Sequence, residues 1–204
     1  MGREDWFRNA TWSADIETAF FAKLNRARSQ KSQYLVIQAL TLAKTRPDIC
    51  LKLIDLYFAQ GEDVNNDFDH VRALDARRQA YEATGDIPRA LDAIKAVLKQ
   101  EQLKPRHIVG ADVQFPYFVA SHNLTAEYSL AKTLLDNRAE DSIIFPVIKF
   151  KIYAAYALMA DDLKLYTDAR SHAGEALRWA HMSSSGLRYH PTVGLVTDAY
   201  QPMI

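Results

Sequence analysis

Six histidines, one cysteine and a few adjacent carboxylate pairs are the side chains of this 204-residue chain best suited to acid–base or metal chemistry. His172 and His181 lie nine residues apart on one predicted helix, more than two turns. They cannot share a metal, because ligands on one helix need a spacing near three or four. A single cysteine, Cys50, permits neither an internal disulfide nor a CxxC site, and no HExxH or glycine-rich phosphate loop occurs. The carboxylate pairs Glu62-Asp63, Glu140-Asp141 and Asp161-Asp162 fall at predicted loops or caps. Capping and solvation account for them there, whereas acid–base work needs one carboxyl group buried with a raised pKa. Ser183-Ser184-Ser185-Gly186 reads as a helix terminator, since no base is fixed beside it. Cys50 sits in an apolar run with Ile49 and Leu53 and reads as an inert core residue. The expectation is a non-enzymatic protein with no metal and no cofactor.

The elements that must position these residues read as helices almost throughout. Strand-like alternation is missing, and the 7 glycines and 7 prolines fall mostly where helices should begin or end. Nine helices are predicted. Helix one covers 13–29, with Ser13 as N-cap and Trp6, Phe7 and Trp12 folding back over its first turn. Helices two and three cover 32–44 and 48–60. Helices four and five form a hairpin over 69–102, broken at Ala83-Thr84-Gly85-Asp86, with Asp86 capping the second helix and Pro88 in its first turn. Asp112-Val113-Gln114-Phe115-Pro116 and Ser142-Ile143-Ile144-Phe145-Pro146 echo each other 30 residues apart. Each reads as a capping residue followed by a first-turn proline, opening helices at 113–121 and 143–160. Helices at 125–137 and 163–181 follow them. The helices pair as two–three, four–five, six–seven and eight–nine, with helix one as a cap. This predicts one domain over 1–182 and a tail over 183–204 with an apolar stretch at Val193, Leu195 and Val196.

The hairpin over 69–102 carries Ala73, Ala76, Ala80 and Tyr81 on its first helix, Gly85 at the turn, and Ala90, Ile94, Val97 and Leu98 on its second. This pattern resembles the tetratricopeptide repeat, and Ala157, Tyr166, Ala169, Ala173, Ala176 and Leu177 fit the same frame. The resemblance implies an all-α solenoid of antiparallel helix hairpins. Each hairpin leaves half its apolar flank for a neighbour to cover, and the first helix of each lines a concave groove that holds a polypeptide. The groove candidates on helix four are Arg72, Asp75, Gln79 and Glu82, and on helix eight Lys149, Lys151 and Tyr156. The alternative for these residues is a solvated charged face. Trp6, Trp12, Tyr117 and Tyr189 lie near element ends, where an amphipathic ring can face a partner. Arg188-Tyr189-His190 on the tail either recognises a partner or docks back on its own helices.

Composition narrows the partners. Lysine plus arginine equals aspartate plus glutamate at 25 each, so no basic excess points to nucleic acid. A hydrophobic share of 49% with 25% charged residues supports a packed core. No apolar run approaches the roughly 20 residues of a membrane span. The opening Met-Gly-Arg-Glu-Asp-Trp has no signal-like apolar core, and Trp6 stands where myristoylation wants Ser or Thr. A cytoplasmic protein is expected. A net charge of zero and the apolar tail leave a homodimer open. The function expected is a scaffold or adaptor for a protein or peptide. Three alternatives stand beside it. An inhibitor or immunity-type protein binding a toxin or effector needs a strong matched charge patch. A regulatory domain sensing a small ligand needs an enclosed polar pocket. An enzyme on a helical scaffold needs buried carboxylates or histidines that converge.

Overall fold

A computed structural model describes residues 5–60, 67–138, 145–198 and 200. Among the described residues the fold is all-α, with nine helices and no strand. They are α1 (Ala14–Arg26), α2 (Lys31–Leu42), α3 (Pro47–Ala59), α4 (Asp67–Ala83), α5 (Ile87–Leu103), α6 (Ala111–Ser121), α7 (Tyr128–Asp136), α8 (Pro146–Asp162) and α9 (Tyr166–Ala180). Glu62-Asp63, Glu140-Asp141 and Ser142 to Ile144 fall outside the described residues.

The local signals act as their chemistry requires. Ser13 Oγ accepts the Ile16 amide at 3.3 Å, with Asp15 and Glu17 at the positive end of the α1 dipole. Asp86 Oδ1 accepts the Arg89 amide at 3.1 Å and caps α5, where Pro88 occupies the first turn. Gly85, at φ +74°, closes α4 as the Asp86 amide reaches back to the Tyr81 carbonyl at 2.9 Å. One signal resolves differently. The two Phe-Pro pairs are not equivalent, because Pro146 opens α8 at its first position while Pro116 lies inside α6. The amides that lead into α6 are met by Glu101, whose carboxylate accepts from Val109, Gly110 and Ala111, the first residue of the helix, at 2.5, 3.0 and 3.1 Å. A remote acid caps this helix, so its start moves ahead of Asp112 and the proline becomes internal.

The chain forms two compact units, residues 1–111 and 112–204. In the first, α2 packs on α3, α4 on α5, and α4 also on both α2 and α3. Alanine makes this possible: Ala39, Ala43, Ala73, Ala76 and Ala80 are all buried where helices meet. Phe20, Leu35, Leu42, Leu53 and Ile54 fill the remaining core, and Cys50 is fully enclosed among them. Burial pushes its thiol up to about 12, so it behaves as a small apolar side chain.

The segment ahead of α1 is an aromatic lid. Trp6 meets Phe20 at 5.4 Å and Tyr34 at 4.9 Å, and Trp12 meets Phe20 at 5.4 Å. It is pinned by Gln38 of α2, which is 0% exposed. The Gln38 carboxamide accepts the Asn9 amide at 2.9 Å and donates to the Asn9 carbonyl at 2.8 Å, so both polar ends are satisfied by one residue 29 positions away.

In the second unit α8 and α9 form the tightest pair, and α7 touches α8. The predicted six–seven pairing is not among the close helix contacts, and residues 125–127 form a 3₁₀ turn ahead of α7. The tail docks in cis. Phe145 precedes α8 with no side-chain cap, and the Gly194 carbonyl instead accepts the Val147 amide at 2.8 Å. Val196 and Tyr200 pack on Phe150, whose ring lies 5.4 Å from that of Tyr200.

Two stability outcomes follow. Gln38→Leu leaves the Asn9 amide and carbonyl unpaired and should cost about 2–3 kcal/mol in urea unfolding. A loss near zero would mean that Asn9 finds other partners. Gly194 has φ +75° and sits against Phe145, where an added Cβ would lie 2.3 Å from Cδ1. Gly186 has φ +81° with open space around it. Gly194→Ala should therefore lower the melting temperature more than Gly186→Ala, which carries only the backbone strain of about 1 kcal/mol. Equal shifts would remove the Phe145 contact as a constraint on the tail.

Candidate functional site

Each unit brings together one set of the predicted binding residues. On α4, Asp69, Arg72, Asp75, Arg78, Gln79 and Glu82 recur at three- and four-residue spacing and form one row of bonded charges. Arg72 approaches Asp69 at 3.4 Å and lies over the Phe68 ring. Asp75 accepts from Arg78 at 2.8 Å and from Gln79 at 2.8 Å, and Arg78 donates to Glu82 at 2.6 Å. Arg78 is only 8% exposed, which a guanidinium tolerates because a carboxylate stands on each side of it. Arg72, Asp75, Gln79 and Glu82 thus lie in one row along α4. They are half-buried and bonded along their own helix, unlike a solvated face.

The remaining binding candidates, Lys149, Lys151, Tyr156 and Tyr117, separate. Lys149 and Lys151, two residues apart, point to opposite sides of α8. Lys151 is 8% exposed, donates to Gln114 Oε1 at 3.0 Å and lies near the rings of Tyr117 and Tyr200. Tyr117 belongs to the packing around Phe150. Lys149 and Tyr156 instead line an open cavity of about 230 Å³ together with Leu135, Asp136, Arg138, Ile152 and Tyr153. The α8 members recur at 149, 152, 153 and 156, one face of a helix over two turns.

The cavity has a polar end and an aromatic wall. Tyr156 donates to Asp136 Oδ1 at 2.7 Å, and burial first, then this bond, pushes its phenol pKa up. Asp136 also accepts Lys132 at 2.5 Å; that bond, then the one from Tyr156, holds its carboxyl below the usual range. Arg138 Nη1 donates to Asp112. Lys149 Nζ lies 4.4 Å from the centre of the Trp179 ring, and among the described residues no carboxylate pairs with it. From α9, His172 stacks on Tyr156 at 5.0 Å with planes 22° apart. His172 and Trp179 are seven apart on α9, so one helix face supports the whole wall.

Sequence reasoning missed Tyr153, Ile152, Leu135, Asp136 and Arg138. The 149–152–153–156 spacing could have found the first two; the α7 residues carry no such mark. Of the tail triplet, Tyr189 stands 78% exposed beneath Arg188, whose guanidinium carbon is 5.3 Å from the ring centre. Arg188 and His190 are exposed as well, so the triplet stays at the surface while the residues after it dock. Trp6 and Trp12 face inward, into the lid on α1. Among the described residues no group of histidine, cysteine or carboxylate side chains is arranged to hold a metal ion, and no helix is long and apolar enough to cross a membrane. No protein-family model, no curated protein and no solved structure matches the chain.

The bonds of Asp136 set a pH dependence. A carboxyl whose native pKa is below its unfolded value, about 3.9, stabilises the fold above that value and loses the contribution as pH falls through the native one. Wild type should therefore lose more stability between about pH 6 and about pH 3 than Asp136→Asn. Parallel thermal melts across that range check it, and identical pH slopes would contradict the assignment.

Proposed function

We propose that the chain is a non-catalytic binding protein built on tetratricopeptide-like helix pairs, and that it holds a protein or peptide segment. The observation that carries this reading is the position of α4. It contacts both helices of the preceding pair and its own partner α5, a pattern compatible with helix pairs laid side by side. Repeated pairs of this kind leave a helix face for a ligand, and rigid helices limit the entropy lost on binding. The half-buried row Arg72, Asp75, Gln79 and Glu82 offers that ligand alternating charges already fixed in place. A mixed-charge row suits a polar segment of matching alternation better than a uniformly charged polymer.

A second reading, a regulatory domain sensing a small ligand, is favoured by the cavity on α8, where rigid aromatic walls meet fixed polar groups.

Affinity capture separates the two. The tagged chain, incubated with lysate from its native cells, should retain a stoichiometric protein. Gln79→Ala and Arg72→Ala, checked for an unchanged melting temperature, should each reduce its retention by about tenfold or more, equivalent to about 1.4 kcal/mol. Retention unaffected by both variants would reject the α4 row as the gripping surface. No retained protein, together with a small molecule that raises the melting temperature, would transfer the function to the cavity.

A further inference from the structure

We propose that the cavity between α7 and α8 binds a small aromatic anion, a carboxylate or phosphomonoester carried on a single ring. Lys149 anchors the charge, and the wall built on Tyr153 and Tyr156 receives the ring. This deepens the sensing reading, rests on it, and does not depend on capture of a protein.

The charges decide the sign of the ligand. Arg138 is neutralised by Asp112, and Asp136 is occupied by Lys132 and Tyr156. Lys149 remains. The Trp179 ring attracts its ammonium through the quadrupole of its face, but a ring face accepts no strong hydrogen bond from it. Lys149 therefore brings to the cavity three donors and a positive charge that no carboxylate among the described residues neutralises. A cationic ligand would meet that charge, and Asp136, the one carboxylate among the described lining residues, is already occupied. An anion meets an ammonium backed by an indole, with the Arg138 guanidinium across the same cavity.

The walls decide the body of the ligand. Tyr156 is held from two directions, by its hydroxyl on Asp136 and by the His172 ring stacked at 22°. His172 also lies 28° from the plane of Tyr153, at 6.3 Å. Two phenol rings on adjacent turns, backed by one imidazole, make a wall with little rotamer freedom left to lose when a flat ring packs against it. Leu135 and Ile152 complete an apolar floor. A volume of about 230 Å³ lies below the usual range of ligand pockets, about 300–1,000 Å³, and so admits no more than one ring with its acid group.

The test uses the purified full-length chain with phenyl phosphate and benzoate as probes, and inorganic phosphate, phenol and benzylamine beside them. Trp179 lies against Lys149 in the second unit while Trp6 and Trp12 lie in the first, so tryptophan emission reports the site alongside the melting temperature. Phenyl phosphate, benzoate or both should change the emission saturably and raise the melting temperature; which one binds distinguishes the two acid groups. Phosphate alone, phenol and benzylamine should bind at least about tenfold more weakly. Lys149→Gln should weaken the aromatic acid about tenfold or more, Lys149→Arg should retain it, and Lys52→Gln in the first unit should leave it unchanged. Benzylamine binding as tightly as benzoate, undiminished binding by Lys149→Gln, or no binding of either acid overturns the proposal. If both acids fail while a neutral molecule raises the melting temperature, the proposal falls and the sensing reading stands.

Discussion

Helices approach closely in this chain because alanine occupies the places where they touch, and most other features follow from that. In the first unit Ala39, Ala43, Ala73, Ala76 and Ala80 are enclosed between α2, α3 and α4; in the second, Ala154 and Ala176 sit between α8 and α9. A small side chain brings helix axes towards the lower end of the usual spacing, about 8–10 Å, and leaves no room for long side chains along the seam. Long side chains are therefore displaced to the flanks and ends. Some aromatic residues gather there, as in the lid of Trp6, Phe7 and Trp12 over α1, while Phe20 and Phe150 stay fully buried in the core of each unit.

The same displacement moves charge into partly buried positions, and the two units handle it differently. On α4 the charges alternate in sign, so each group finds a partner one turn away on the same helix. Arg78 can then be enclosed without an isolated charge. On α8 the cavity-facing residues include a single cation, Lys149, and no acid, so the charge must be met from elsewhere. Asp136 of α7 is taken by Lys132 and Tyr156, and Lys149 is left over the indole of Trp179. A completed row suits a surface recognised as a pattern. An incomplete one suits a ligand that supplies the missing charge.

Ordering of the tail belongs to the same physics. A helix that begins without a side-chain cap leaves amides to be met by other means. At α8 the Gly194 carbonyl takes the Val147 amide, which requires backbone to pass directly over Phe145. Only a residue without Cβ fits that approach at positive φ. The residues beyond it then reach Phe150, while Arg188, Tyr189 and His190 project from the loop that makes the return.

Local chemistry made much of this readable in advance. The nine helices, the caps at Ser13 and Asp86 and the turn at Gly85 depend on neighbours within about one helical turn, and sequence spacing records such neighbours directly. Features that depend on a residue far along the chain were not readable. Pro116 looked like a helix start until Glu101 supplied the cap from ten residues upstream, and Lys149 and Lys151 looked alike until α6 covered one and left the other on the cavity. Asn9 meets Gln38 across 29 residues and Tyr156 meets Asp136 across 20. The chain's periodicity determined which face of each helix turns inward. Which two faces meet, and therefore which charges remain unmatched, was decided only when the helices packed, because that choice depends on distances between elements that no spacing along a single element contains.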